Sequence, residues 1–82
     1  MTVVNVKVLR SSRKPDTYLY LPEDGDYDEL PDALRDQFGE ATEFLQFELS
    51  PSRQLAQADS TQVLTALARQ GFYLQLPPKD QP

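Results

Sequence analysis

The residue types that most often do chemistry are scarce in this chain of 82 residues, which holds neither Cys nor His. Without His it lacks the commonest general base, the commonest neutral metal ligand and the side chain that changes charge near neutral pH. Without Cys it has no thiolate nucleophile, no sulfur ligand and no disulfide. Carboxylates are the plentiful titratable groups that remain, with thirteen Asp and Glu against eight Lys and Arg. Two of them facing each other across a cleft could hydrolyse a glycosidic bond as acid and base. Eleven of the thirteen crowd between Asp16 and Glu48, a distribution that reads as a solvated face, so a carboxylate-based hydrolase ranks last among the functional readings.

Two spacings invite a chemical reading and fail it. Asp24-Gly25-Asp26-Tyr27-Asp28 sets carboxylates at alternate positions, as a calcium loop does at its start. Such a loop needs Gly at its sixth position and a bidentate Glu at its twelfth, where this chain has Glu29 and Arg35. Ser11 and Lys14 stand in a Ser-x-x-Lys spacing, which in some acyl-transfer enzymes brings an amine to a nucleophilic hydroxyl. Those enzymes place it at a helix start in a much larger fold, whereas Ser and Lys here suit a turn. No metal and no cofactor is expected, and the chain is read as not an enzyme.

A third constellation is left standing. Arg10, Arg13 and Lys14 precede Tyr18 and Tyr20, joining cations to aromatic rings in one short stretch. Those types suit a protein contact surface, in which aromatic and Arg side chains are enriched, and they also suit single-stranded nucleic acid, which stacks on rings and pairs its phosphates with cations. The acidic balance, with a pI near 4.4, weighs against nucleic acid, whose binding domains are typically basic. Packing within a sheet would account for the two tyrosines without any ligand.

Charge is laid out unevenly. Met1 to Pro15 carries four cations and no acid, Asp16 to Glu48 carries eleven acids and one cation, Arg35, and the rest is nearly balanced, for a net charge of −5. Segregation of this kind creates a local potential that net charge conceals. The basic turn lying beside the acidic loop in the fold would cancel it, and self-neutralisation is the stronger expectation.

The elements that position these residues follow from hydrophobic period. Val4, Val6 and Val8 alternate with Asn5 and Lys7, predicting a strand over Val3 to Leu9. Arg10 to Asp16 is a polar break containing Pro15, and Thr17 to Leu21 reads as a second strand joined as an antiparallel hairpin. Its alternate residues are Tyr18 and Tyr20 on one face, Leu19 and Leu21 on the other, so both faces need cover. Pro22 to Glu29 reads as loop. Leu30, Leu34 and Phe38 then draw a helical stripe with Pro31 in the first turn and Gly39 at the stop. Leu45, Phe47 and Leu49 give a third strand over Glu43 to Leu49. Asp59 caps a second helix with the stripe Val63, Leu64 and Leu67, and Gly71 ends it. Phe72, Leu74 and Leu76 share one face of a fourth strand before Pro77 and Pro78.

The order ββαβαβ predicts a single small α/β domain over residues 1–78 with a flexible polar tail at 79–82. Two strand-helix-strand units imply crossovers onto a shared mixed sheet. No stretch approaches the roughly 18 apolar residues of a membrane span, and the N-terminus lacks the form of a secretory signal, so the cytoplasm is the expected address.

Three segments together carry a resemblance: Ser-Ser-Arg-Lys-Pro-Asp-Thr-Tyr-Leu-Tyr-Leu from Ser11, Leu-Pro-Asp-Ala-Leu-Arg-Asp-Gln-Phe-Gly from Leu30, and Gly-Phe-Tyr-Leu-Gln-Leu-Pro-Pro from Gly71. Their order and spacing over Arg10 to Pro78 resemble the YcgL family of small gammaproteobacterial proteins. The resemblance implies an α/β/α sandwich and a cytoplasmic protein, and it brings no catalytic residue with it. Val6 stands where some members have Cys, so that Cys is no obligatory nucleophile or ligand. The chain also ends four residues after Pro78 where other members continue. If a longer tail normally covers the sheet, its loss exposes an apolar patch that favours self-association.

The leading expectation is a non-enzymatic interaction or regulatory module with an unidentified protein partner. Its contact surface would be Arg10, Arg13, Lys14, Tyr18 and Tyr20, and the chain itself would be a monomer or a weak self-associator. RNA or single-stranded nucleic acid on the same face is the alternative, and the hydrolase comes second to it.

Overall fold

The computed structural model describes residues 3–14, 16–53, 55 and 59–76. Four strands and two helices follow in the expected order: β1 (Val4–Ser11), β2 (Tyr18–Pro22), α1 (Asp32–Phe38), β3 (Ala41–Leu49), α2 (Ser60–Gln70) and β4 (Tyr73–Gln75). A single 3₁₀ turn, Tyr27–Glu29, lies within the segment read from sequence as loop. Asp26 caps it by accepting the Asp28 N–H at 2.9 Å, the local pairing that makes Asp a turn residue. The predicted polar tail at 79–82 lies outside the described residues, as do Pro77 and Pro78.

The strands lie in the order β3-β1-β2-β4. Every pairing is antiparallel, so the expected mixed sheet is corrected to an antiparallel one. The error lies in reading direction from element order. β2 and β3 do run the same way, but β1 lies between them, and β4 runs opposite to β3. Ten residues separate Leu49 from Ser60. That interval can span roughly 30 Å of extended chain, so a helix between two strands leaves the direction of the second strand open.

Alternation along the strands sends two sets of apolar residues to opposite faces. On one face Val6, Val8, Tyr20 and Leu49 pack with Val63 and Leu67 of α2. On the other Leu9, Leu19 and Leu21 pack with Phe38 of α1, flanked by Tyr27, Leu30, Leu34, Phe72 and Leu74. The helices therefore cover opposite faces, and the result is an α/β/α sandwich. The division was written in β2, whose Leu19, Tyr20 and Leu21 are all buried.

The helix ends follow the local chemistry. Asp59 accepts the Thr61 N–H at 2.8 Å and caps α2, while Gly71 takes φ 88 and closes it with its N–H on the Ala66 and Leu67 carbonyls. Gly39 ends α1 at φ 80, and space as well as backbone angle requires glycine there. A Cβ at this position would lie 2.5 Å from Arg13 Cγ and 2.6 Å from Ser12 Oγ. The hairpin turn is thus laid directly on the end of α1. Ser11 Oγ donates to the Phe38 carbonyl, and Ser12 Oγ accepts the Glu40 N–H at 2.8 Å.

Candidate functional site

α2 packs over β2 and β4 and leaves the outer part of its own face open. The opening is a groove of about 470 Å³ whose walls include Tyr18, Phe44, Leu45, Phe47 and Leu55, with Tyr20 and Gln75 at its buried side. Its exposed apolar residues are consecutive: Phe44 and Leu45 are 48% and 49% exposed. Ordinary alternation would put neighbours in a strand on opposite faces. Here the β1–β3 register slips, so that Val8 faces Leu45 while Leu9 faces Glu43, and Phe44 is the extra residue of a β-bulge. A bulge re-aims side chains, and this one lets Phe44 and Leu45 line the same groove.

Two arginines sit against the groove's rings. The Arg10 guanidinium lies 5.6 Å from the centre of the Phe44 ring, and that of Arg53 lies 4.3 Å from the centre of Phe47. Tyr18 completes the group, its ring centre 5.4 Å from that of Phe44. Arg10 reaches this position from β1, where it pairs with Tyr18 across the hairpin. Arg53 follows a turn in which its N–H bonds the Ser50 carbonyl at 3.1 Å. Its own carbonyl accepts from the buried Ser60 hydroxyl at the first turn of α2, which ties the arginine's backbone to the helix start.

The only ion pair among the described residues joins Arg35 to Asp32 on α1. Arg10 and Arg53 thus have no carboxylate of the described residues within ion-pair range. Asp16 lies at the hairpin end, in the left-handed region with φ 60, and lines both the groove and an adjoining hollow that includes Arg10, Ser11 and Ser12. Asp tolerates that conformation better than most residues.

The five residues singled out from sequence do not form one surface. Arg10 and Tyr18 stand at the groove. Tyr20 is 7% exposed and forms its floor, its hydroxyl donating to Gln75 Oε1 at 3.1 Å with its ring edge-on to Tyr73. Burial, then the nearby Tyr73, pushes the Tyr20 hydroxyl above its ordinary pKa of 10.0. Arg13 lies on the α1 side, lining a depression with Asp28, Asp36 and Glu40, so that this part of the basic turn does meet the acidic segment. Lys14 is exposed in the turn, its backbone N–H on Ser11 Oγ at 3.0 Å. The acidic loop residues Asp24, Asp26, Asp28 and Glu29 belong to no metal-holding group among the described residues.

Phe44, Phe47, Arg53 and Leu55 were not read as site residues. Phe44 had a signal: an aromatic on the polar side of the Leu45, Phe47, Leu49 alternation is out of phase, and a bulge is the simplest cause. Arg53 had none, since its place depends on a turn and a helix start far from the hairpin.

The fold and groove define a small α/β/α sandwich with one open aromatic face. Residues 6–78 match the model of the YcgL domain, and the chain belongs to that family. A YcgL domain-containing protein of Thioalkalivibrio sulfidiphilus is 45% identical over 78 residues, 95% of this chain and 96% of the relative. One from Idiomarina loihiensis is 47% identical over 72 residues, covering 88% and 84%. One from Xanthomonas euvesicatoria is 47% identical over 70 residues, covering 85% and 81%. The names of these relatives give the domain and no activity. Among the described residues no helix is long and apolar enough to cross a membrane.

Proposed function

We propose that this chain is a cytoplasmic, non-enzymatic interaction module, and that its partner is a protein held at the open groove between Tyr18, Phe44 and Phe47. One observation carries the reading: Phe44 and Leu45 stand side by side and half exposed on one face of the sheet, within reach of two arginines that no described carboxylate neutralises. Apolar and aromatic surface with Arg at its margin is the composition of a binding patch. The proposed surface keeps Arg10, Tyr18 and Tyr20 from the sequence reading and replaces Arg13 and Lys14 with Phe44, Phe47 and Arg53.

Nucleic acid is the second reading, and the groove's rings are what favour it. A guanidinium already lies near each of the Phe44 and Phe47 rings, and a stacking base would compete with it there.

Photo-crosslinking in cells tests the module reading. A benzophenone amino acid replaces Leu45 in one variant and the exposed Gln37 of α1 in another. A discrete protein adduct at 45 and none at 37 is expected. Adducts at neither position, equal adducts at both, or adducts removed by nuclease would each overturn it.

A further inference from the structure

The groove carries information about what it would accept. In a chain of net charge −5, two exposed cations are held on one face without a described carboxylate in ion-pair range, and Asp16 alone opposes them along the groove. Each guanidinium is held near a phenyl ring, 5.6 Å from the Phe44 centre for Arg10 and 4.3 Å from the Phe47 centre for Arg53, and both arginines are exposed. A guanidinium restrained beside a ring keeps its planar fork of N–H donors for the bidentate N–H···O pairing that carboxylates offer.

The strand beneath them adds a direction. β3 is an edge strand, nine residues long, with β1 on one side and no described strand on the other. An extended chain laid along that edge can satisfy the unpaired backbone groups, the mode by which sheets accept peptide strands. Phe44 and Phe47 are three residues apart, so at about 3.3 Å per residue the rings beside which the arginines lie start from backbone positions no more than roughly 10 Å apart along the edge. In an extended ligand, side chains on one face repeat every ~7 Å, so two acidic residues four positions apart bracket the two cations and leave the side chain midway between them on the same face.

Resting on the module reading, we infer that the groove receives an extended segment of a partner protein in which two Asp or Glu residues four positions apart flank an apolar side chain midway between them. The segment runs along the free edge of β3. Its carboxylates meet Arg10 and Arg53, and its apolar residue enters between Phe44, Leu45 and Leu55.

The test uses the full chain labelled with ¹⁵N and an eight-residue peptide with Glu at its second and sixth positions, Val at its fourth and Ser or Thr elsewhere. A peptide with Gln in place of Glu and an oligouridylate are the comparison probes. Expected are amide shifts confined to β3, Tyr18 and the Arg53 turn, with affinity weakened about tenfold or more by Gln in the peptide. The double substitution Arg10→Gln and Arg53→Gln gives the same loss, and its own spectrum establishes that it folds. Equal binding of the Glu and Gln peptides, shifts outside the groove, or no binding of either overturns the inference. If the crosslink at 45 still captures a protein, the module stands and the acidic ligand alone falls. Binding of the oligouridylate in place of the peptide removes both. A concentration-dependent dimer that excludes the peptide gives the groove to a second copy and overturns the acidic segment as its occupant.

Discussion

The two faces of the sheet are built from the same strands and finished differently. On the α1 side a seven-residue helix, a 3₁₀ turn and the end of the hairpin close over Leu9, Leu19, Leu21 and Phe38. Phe38 is 1% exposed there, and Tyr27 seals the rim with its ring against Phe38 and its hydroxyl on the Gly39 carbonyl at 2.6 Å. On the α2 side a longer helix of eleven residues covers less, and Phe44 is 48% exposed. The acids gather outside the closed face, with Asp28, Asp36 and Glu40 around its depression, while Arg10 and Arg53 border the open one. Helix length does not decide coverage; where the helix is anchored does. α1 is clamped to the hairpin through Ser11, Ser12 and Gly39, whereas α2 lies toward β2 and β4 and leaves Phe44 and Leu45 of β3 open.

The strongest way to break this comparison is to hollow out the closed face. Phe38 is the largest fully buried side chain among the described residues. Phe38→Ala removes its transfer free energy and leaves a cavity, a cost of about 3–5 kcal/mol. For a domain of this size that is a large part of the total stability. Urea unfolding followed by circular dichroism is expected to show the midpoint falling sharply or the fold lost. A shift below about 1 kcal/mol would mean that the α1 face is far looser than its burial indicates.

Much of this architecture was legible in the sequence. Period-two alternation gave the strands, the stripes at Leu30, Leu34, Phe38 and at Val63, Leu67 gave the helices, and Tyr18 to Leu21 required cover on both faces. Strand direction was not legible, because alternation is the same read either way and only the register pairs tell β4 from a parallel neighbour. The site was half legible for a related reason. Arg10 and Tyr18 are close in sequence and pair across one hairpin, but Arg53 arrives through a turn and the Ser60 hydroxyl. The expected surface failed at Arg13 because a turn residue has no face assigned by period; contact with Gly39 draws its stem to the α1 side.

A smaller effect separates the faces by pH. Tyr20 lies under the α2 side and Tyr27 on the α1 side, and burial raises both hydroxyls above 10.0. For Tyr27, Asp28 and Asp36 add to the rise while Arg35 opposes it; for Tyr20 only Tyr73 adds and no cation opposes. The neutral form is favoured in the fold, so this contribution is complete below pH 10.0 and is lost as pH rises through the folded values. Comparing urea midpoints at pH 8 and pH 11, Tyr20→Phe is expected to reduce the alkaline loss relative to the unsubstituted chain by more than Tyr27→Phe does. Equal slopes for all three chains would show that neither hydroxyl is held neutral by the fold.

The smallest expected change in stability is the most informative about the open face. Phe44 is as large as Phe38 and lies in the same sheet, but half of it already meets water, and its neighbours are Tyr18 and the Arg10 guanidinium rather than a closed core. Truncating it returns little buried area to solvent and opens no cavity, because the space beside it is already groove. Surface substitutions of this kind fall within about 0.5 kcal/mol. Phe44→Ala is therefore expected to unfold at nearly the same urea concentration as the unsubstituted chain while losing the crosslinked partner at position 45. A residue kept half exposed on an edge strand invites aggregation, a liability that its contacts with Tyr18 and Arg10 offset only in part. Loss of stability approaching that of Phe38→Ala would place Phe44 in the core and take away the reason for reading the groove as a binding face.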